Sequence, residues 1–313
     1  RHAGLAEDVA RSVMLRCENI GVERLNDPAL GWLPLQVQGM LANTADDISR
    51  NIESALATDY IPFNELLGSK SGAVAIVGSG PSLKANWQEL RHFKGDIIAC
   101  NAACQFLLEK GIVPQFMFCF DADPLVLEFF TPHKDITYLL ASRVVPQAFK
   151  LIEGCKLVLW HAAGDERVQE ILEAHQKNEP MVLGGSAAVT RAMILAFPMG
   201  YKEIHLYGCD SSFAEGDTHI RKSTTVEGRM AIKCNGRVFE VAPWMTVQVN
   251  DLEKLGNIIK VCGVRLHFHG DGLMQHVART LGYRTDYDNT YQRTVRAALR
   301  WWLTKLIPTW QAI

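Results

Sequence analysis

The sequence lacks any apolar run long enough to cross a bilayer, and it lacks an excess of charge of either sign. Its 313 residues carry a formal net charge of -2, so the broad basic surface of a nucleic-acid-binding protein is absent. The first residues, RHAGLAEDVARS, have no apolar core of the kind found in a secretory signal. We therefore expect a cytoplasmic protein that does not bind nucleic acid.

The eight cysteines show none of the paired spacing of a zinc site or a small disulfide framework. Cys100, Cys119, Cys209 and Cys262 fall in apolar, strand-like runs. We interpret the cysteines as buried, reduced thiols.

Two common nucleotide-binding motifs are also absent. The dinucleotide fingerprint requires a third glycine where this chain has Leu83, and no Gly-Lys-Ser/Thr follows to make a P-loop. What stands there is AVAIVGSGPSL, Ala73 to Leu83, which is typical of a buried parallel strand, a tight turn and a helix start. Glycines in such a turn let the backbone approach a ligand, and a helix start favours anions. The predicted phosphate or nucleotide cradle comprises Gly78, Ser79, Gly80, Pro81 and Ser82, and a purely connecting turn is the alternative.

Short apolar runs alternate with helical segments from Ala73 onward, which predicts an α/β, Rossmann-like fold with a mainly parallel sheet and helices on both faces. The runs are AVAIV at 73–77, DIIAC at 96–100, FMFCF at 116–120, ITYLL at 136–140, KLVLW at 156–160, EIHLY at 203–207 and VRLHF at 264–268.

We divide the chain into a helical N-terminal segment (1–68), a Rossmann-like domain (69–285) and a basic amphipathic C-terminal helix (286–313). The N-terminal segment shows no convincing strand, and Ile48, Ile52 and Ala55 have helical spacing. Asn235-Gly236 predicts a late β-hairpin insertion. The C-terminal helix has an apolar face with basic flanks, which favours docking on the domain or a second subunit; peripheral contact with the inner membrane surface is the alternative.

Ligands of doubly wound sheets bind beyond the carboxyl ends of the strands, so the polar residues that follow each run are candidates for the site. They are Asn101, Asp121, Asp123, His161 and Asp210. A second turn, Gly184-Gly185-Ser186, precedes a helical run and repeats the logic of the first cradle.

Two kinds of catalytic group stand out. Asp121 and Asp123, one residue apart, could share Mg²⁺ on phosphate oxygens, although aspartates also cap helices and turns. His219, in the loop from Asp210 to Lys222, suits general acid or base catalysis, and an exposed surface histidine is the alternative. We interpret His267 and His269, which alternate on the last predicted strand, as structural residues or residues at the rim of the site.

Several segments in order resemble one family. The segments IVGSGPSL, ACNAACQFLLEKGIVPQFMFCFDADP, GGSAA, LYGCD and GDTHI are similar to the domain shared by bacterial motility-associated-factor glycosyltransferases and archaeal 6-hydroxymethylpterin diphosphokinases of the MptE type. The resemblance runs from about residue 63 to about residue 272 and implies a Rossmann-like fold related to the family 42 sialyltransferases. Cys209 stands where a glutamine is common, which leaves the acceptor open.

By similarity to those sialyltransferases, the turns and the asparagine would hold the nucleotide and the late-loop histidine would be catalytic. The residues so implied are Gly78, Gly80, Pro81, Ser82, Asn101, Gly185, Ser186 and His219. Three functions remain open: a glycosyltransferase that moves a nonulosonic acid or other sugar from a nucleotide donor to a small-molecule, glycan or protein hydroxyl; a diphosphokinase that uses ATP, with Mg²⁺ on Asp121, Asp123 and Asp210; and a non-catalytic nucleotide-binding scaffold. A homo-oligomer is compatible with each of them.

Overall fold

The computed structural model describes residues 21–24, 44–163, 166–214, 229–234 and 236–286. Ten of the described strands form one large sheet, and three form a small antiparallel sheet. The large sheet contains β2 (Ile61–Pro62), β3 (Ala73–Val77), β4 (Asp96–Cys100), β5 (Phe116–Cys119), β6 (Thr137–Ala141), β7 (Lys156–Ala162), β8 (Met181–Val182), β9 (Glu203–Tyr207), β12 (Arg265–Phe268) and β13 (Arg284–Thr285). The small sheet contains β1 (Gly21–Arg24), β10 (Met230–Cys234) and β11 (Arg237–Val241).

The large sheet runs in the order β13-β12-β9-β3-β4-β5-β6-β7-β2, with β8 paired to β7. All of its described strand pairs are parallel. Parallel neighbours require crossover connections, and helices fill that role here. The predicted α/β, Rossmann-like fold is confirmed.

The described helices lie between the strands. They are α1 (Ala45–Leu56), α2 (Leu83–Asn86), α3 (Ala102–Glu109), α4 (Pro146–Leu151), α5 (Glu166–Ala174), α6 (Ala188–Met199), α7 (Pro243–Val261) and α8 (Leu273–Thr280). Short 3₁₀ segments occur at Phe63–Leu66, Trp87–His92 and Pro124–Phe129. Within the described ranges, none of the helices has both the length and the apolar character needed to cross a membrane.

The core lies on both faces of the large sheet. Every residue of β5 is buried, and so is every residue of β3 after Ala73. Trp160 is fully buried and stacks on Phe118 with ring centroids 5.2 Å apart. Each large side chain buried in this way stabilises the fold by about 1.5–3 kcal/mol.

The N-terminal segment is helical where it packs on the domain, as expected. Thr44 caps α1, and Ile48 and Ile52 form a cluster with Val168 and Leu172 of α5. The expectation of no strand before residue 69 is wrong, because β1 pairs with β10 and β2 pairs with β7. These strands have four and two residues, which is too short for a readable alternation, and Pro62 is tolerated because β2 lies at the sheet edge.

The predicted hairpin is present. Cys234 pairs with Arg237, which leaves a two-residue connection, and Gly236 has a φ of +80° as a tight hairpin turn requires. Asn235 lies outside the described residues. One side of the hairpin packs on α7 and α8 through Ile232, Phe239, Met245 and Leu273.

Two further sequence expectations concern the burial of the cysteines and the C-terminal helix. Cys100, Cys119 and Cys209 are buried and unpaired as expected, whereas Cys262 is exposed. Its apolar run is the end of α7 and not the start of a strand, so the burial expected for Cys262 is wrong. Almost all of the predicted C-terminal helix, from residue 287 on, lies outside the described residues.

Candidate functional site

The candidate site lies where the strand order reverses. Strand β3 is flanked by β4 on one side and β9 on the other, so the chain leaves β3 in one direction and later returns on the opposite side. A crevice forms at such a switch point, beyond the carboxyl ends of the strands. A cavity of about 250 Å³ occupies it. Its lining is Gly78, Ser79, Gly80, Cys100, Asn101, Asp121, Ser186, Ala187, Ala188, Val189, Gly208, Cys209, Asp210, Ser211, Trp244, Met245 and Gln248.

The first glycine turn is held tightly against the end of β9. The Gly80 amide donates to Gly208 O at 2.8 Å, and the Gly78 amide donates to Tyr207 O at 2.8 Å. A Cβ on Gly80 would lie 2.5 Å from Asp210 Oδ2 and 2.6 Å from Gly208 O. The glycines are therefore needed for the packing of two strand ends, and Gly78 and Gly80 also line the cavity.

The side chain of Asp210 holds this turn in place through hydrogen bonds. Its side chain is 4% exposed; Oδ2 accepts from the Ser82 amide at 2.8 Å and Oδ1 accepts from Gln275 Nε2 at 3.1 Å. Burial raises the pKa of the carboxyl, and the hydrogen bonds from Ser82 and Gln275 oppose that rise. With both oxygens engaged, Asp210 positions the turn and joins it to α8.

Asn101 combines a strained backbone with an unused polar atom. It has a φ of +50° and a ψ of -126°, outside the regions that non-glycine residues commonly adopt. Its Oδ1 is buried without a hydrogen-bond partner in the described structure, and the residue lines the cavity. Strain and an orphaned polar atom at one residue mark a functional position, because each has a cost in stability.

The aspartate pair divides into two roles. Asp121 lines the cavity, and its Oδ1 accepts from the Asp123 amide at 3.1 Å. Asp123 Oδ1 accepts from the Leu125 amide at 2.9 Å and caps the 3₁₀ segment that follows. Among the described residues, Asp121, Asp123 and Asp210 do not converge as a three-carboxylate group.

The second turn leads into α6 and brings its N-terminus to the cavity. Asp251 Oδ2 accepts from both the amide and the Oγ of Ser186, at 2.6 Å each. Behind the turn, the buried Arg191 side chain donates from Nη1 to Val182 O at 3.2 Å. Ser186 lines the cavity as predicted, whereas Gly184 and Gly185 lie behind the lining.

Residues at the start of α7 were not found from the sequence. Trp244 is 40% exposed and lines the cavity with Met245 and Gln248. The signal was Pro243, which suits the first position of a helix and follows the hairpin directly. Two helices of 12 and 19 residues thus direct their N-termini at one cavity. The first-turn amides of α6 have no acceptors within the helix. In α7, Pro243 has no N–H and the Met245 amide donates to Ala242 O at 3.0 Å, which leaves the Trp244 amide. The dipoles of both helices favour anions at their N-termini.

Other predicted residues lie away from this cavity. Pro81 and Ser82 line a second cavity of about 420 Å³, which Asp210 separates from the first. His161 is 1% exposed, with Nδ1 3.0 Å from Ser142 Oγ and Nε2 3.1 Å from Glu179 Oε2, so it serves the core. His219 lies outside the described residues.

The second cavity has its own unsatisfied group. Asn86 is 8% exposed and lines the cavity, and neither its Oδ1 nor its Nδ2 has a partner in the described structure. Phe213 and Phe239 contribute apolar surface, and Arg237 lines the cavity together with Asp271, with which it forms an ion pair. The second cavity is therefore able to hold a polar molecule with apolar faces.

A family model described as 6-hydroxymethylpterin diphosphokinase MptE-like matches residues 48–216, just over half of the chain. The chain belongs to this family. The match includes the first turn, Asn101, the two aspartates and the second turn, so the family segment carries most of the cavity lining.

Two solved structures are similar to this member of the family. The MAf glycosyltransferase from Magnetospirillum magneticum AMB-1 is 21% identical with a TM-score of 0.57, over 77% of this chain and 38% of that one. A mammalian sialyltransferase in complex with Gal-beta-1-3GalNAc-ortho-nitrophenol is 14% identical with a TM-score of 0.37, over 74% of this chain and 82% of that one. The chain thus spans less than half the length of the first protein. No curated protein sequence matches the chain significantly.

Proposed function

We propose that the chain is a nucleotide-dependent glycosyltransferase that moves a sugar of the nonulosonic acid type from a nucleotide donor to a hydroxyl acceptor. The observation that carries the proposal is the convergence of two long-helix N-termini and the strained Asn101 on one polar cavity. Such a cavity can hold the phosphate of a nucleotide with backbone dipoles and no metal ion.

The residues suggest how the donor would lie. The phosphate would accept from the first-turn amides of α6 at Ala188 and Val189, and Ser79 faces the same space. Asn101 would bond the nucleotide with its unused amide oxygen, which accepts from a base amino group or a ribose hydroxyl. The exposed ring of Trp244 offers an aromatic face on which a base can stack.

In the proposed reaction, the acceptor oxygen forms a bond to the anomeric carbon of the sugar while the bond from that carbon to the nucleotide phosphate oxygen breaks. His219 would take the proton from the acceptor hydroxyl, as the family resemblance implies. The phosphate leaves with the bonding electron pair, and the helix N-termini stabilise its charge.

The second cavity would receive the acceptor. It adjoins the first cavity at Asp210, and it offers the Asn86 amide for hydroxyl groups beside the apolar rings of Phe213 and Phe239. Sugar acceptors present this mixture of hydroxyls and an apolar ring face. The buried Asp210 would then fix the turn between donor and acceptor without contacting the reacting atoms.

A diphosphokinase is the second candidate, and the description of the matching family model favours it. It would pass a pyrophosphoryl group from ATP to a pterin alcohol with Mg²⁺ on Asp121 and Asp123. The engagement of Asp123 as a cap and of both Asp210 oxygens in hydrogen bonds makes this candidate weaker.

A donor-hydrolysis and transfer assay tests the proposal. We expect release of CMP or another nucleotide from its sugar conjugate in the presence of a chelator, and a loss of about a hundredfold in turnover for His219→Ala at unchanged nucleotide affinity. Pyrophosphoryl transfer from ATP that requires magnesium, with no loss in His219→Ala, would establish the diphosphokinase instead.

A further inference from the structure

A group of titratable side chains lies on one face of the sheet, away from the cavity. His205 of β9 and His267 of β12 are in register, and their rings stack with centroids 4.4 Å apart and planes 3° apart. Glu203, two residues before His205, places Oε1 2.8 Å from His267 Nε2 and 3.4 Å from His205 Nε2. One carboxylate oxygen therefore faces two imidazole nitrogens.

The group continues along the strands. His205 Nδ1 lies 2.9 Å from His269 Nε2, and His269 Nδ1 lies 2.9 Å from Asp286 Oδ1. The row Glu203, His205, His269, Asp286 thus contains three close contacts between polar atoms, and we call it the histidine row.

The histidine row is short of one proton. Each of its three contacts needs a hydrogen between the two atoms, and two neutral imidazoles supply one N–H each. Whichever tautomers form, at least one contact lacks its hydrogen, at Glu203, at Asp286 or between the two rings. His267 Nε2 adds a further unsatisfied atom, because it is buried and makes no hydrogen bond of proper geometry to Glu203.

Charging a ring would supply the missing proton, but burial opposes it. The side chains of His205 and His267 are only 18% and 12% exposed, and two charged rings stacked 4.4 Å apart would repel each other. Neutral imidazole is the form that ligates metals. A cation between Glu203 and the two rings would satisfy the lone pairs that a proton cannot.

We propose that Glu203, His205 and His267 bind a divalent transition-metal ion, with Zn²⁺ the ion that best suits the ligands. The ligand atoms all lie within 4.8 Å of one another, so small side-chain rotations bring them to the 2.0–2.2 Å of zinc bonds. Two imidazoles and a carboxylate leave the fourth position of a tetrahedral ion to water. Side-chain exposures of 12–26% leave a path from solvent.

Outer groups are placed to orient the ligands. With the ion bound, His205 Nδ1–H donates to His269 Nε2, which fixes the tautomer that presents Nε2 to the metal, and Asp286 faces the far side of His269. Arg265 opposes the ion, because its Nη2 donates to Glu203 Oε2 at 2.7 Å and brings a positive charge. The site is separate from the cavity: Glu203 pairs with the first residue of β3, whereas Gly78 follows the last, a distance of roughly 16 Å along the strand.

Zinc titration of the chelator-treated chain tests the proposal, with Mg²⁺ as the comparison ion and folding checked by circular dichroism. We expect the chain to bind one Zn²⁺. Glu203→Gln and His267→Ala should each lower the zinc affinity at least tenfold, and His269→Gln should lower it about tenfold. His92→Ala, a surface histidine outside the cluster, should change nothing.

Arg265→Ala supplies a test of opposite sign. The side chain is 60% exposed, so the variant should fold, and removing its charge should tighten zinc binding severalfold. The proposal is overturned if the wild-type chain binds no Zn²⁺, if Glu203→Gln and His267→Ala bind it as the wild type does, or if Arg265→Ala leaves the affinity unchanged or weaker.

Discussion

At the residue scale, Asn101 is the position where the cavity departs most from ordinary structure. Its positive φ costs about 1 kcal/mol or more, and its orphaned Oδ1 adds a desolvation cost. A nucleotide that donates to Oδ1 would recover the second cost on binding.

Replacing Asn101 in two ways separates strain from recognition. Asn101→Gly keeps the backbone conformation and removes the amide, so we expect nucleotide affinity to fall about fivefold to tenfold with no loss of stability. Asn101→Ala should lose the same affinity and about 1 kcal/mol of unfolding free energy as well. Calorimetric titration and urea unfolding measure the two effects, and equal affinity in all three proteins would remove Asn101 from the site.

Asp210 is the candidate catalytic or metal-binding residue whose contacts most favour a structural role. Asp210→Ala would leave the Ser82 amide without its acceptor, which costs about 1–3 kcal/mol for a buried group, and would remove one of the two acceptors of Gln275 Nε2, which keeps His269 O. We expect a lower melting temperature and a loss of nucleotide affinity that is equal in magnesium and in chelator. A loss seen only in magnesium would show Asp210 to be a metal ligand.

His161 makes stability depend on pH. Burial lowers its pKa in the folded chain, with Lys177 adding to the effect and Glu179 opposing it, while the unfolded chain has the ordinary value near 6.5. The neutral ring therefore stabilises the fold above pH 6.5, and this contribution is lost as pH falls through the lower, folded pKa. In urea unfolding between pH 7.5 and 5, His161→Gln should lose less stability than the wild type on acidification; an identical slope would contradict the assignment.

At the element scale, the long helices α6 and α7, and not the short helix after the first glycine turn, begin at the cavity. The turn uses its Gly78, Gly80 and Ser82 amides within the protein and continues into a helix of only four residues. Helices α6 and α7 are longer, and their N-termini line the cavity. The proposed function therefore places anion binding at helices later in the chain than the sequence motif that first suggests it.

Trp244→Ala tests the contribution of α7. A base stacked on the ring is worth about 1–3 kcal/mol, so we expect nucleotide affinity to fall about tenfold or more. Val261→Ala, at the other end of the same helix and 89% exposed, is the matched control and should bind as the wild type does. If Trp244→Ala binds equally well, the base does not lie on α7.

The sequence predicts long elements well and short ones poorly. The run at 73–77 is a strand with the predicted bounds, because a buried parallel strand is a continuous apolar run. The run at 203–207 is also a strand with the predicted bounds, although Glu203 and His205 interrupt its apolar character. Strands β1 and β2 are too short to show a pattern. Trp244 and Asp251 could not be assigned to the site, because nothing local to a helix start indicates which cavity it faces.

At the scale of the whole molecule, the strand order decides where the site lies. Residues 78, 101, 121, 186 and 210 are far apart in sequence and meet because β3 stands at the reversal between β4 and β9. That convergence was predictable from the alternation of strands and helices. The separation of the two cavities by Asp210 was not predictable, since it depends on the contacts of Asp210 with Ser82 and Gln275.

Calorimetric titration of the chain with CMP and with ATP, each in EDTA and in magnesium, tests the central claim most directly. The two helix N-termini and the engagement of Asp123 and Asp210 within the protein predict that CMP binds with equal affinity in both buffers and more tightly than ATP. Binding of ATP that appears only with magnesium, or no binding of either nucleotide, would contradict the account.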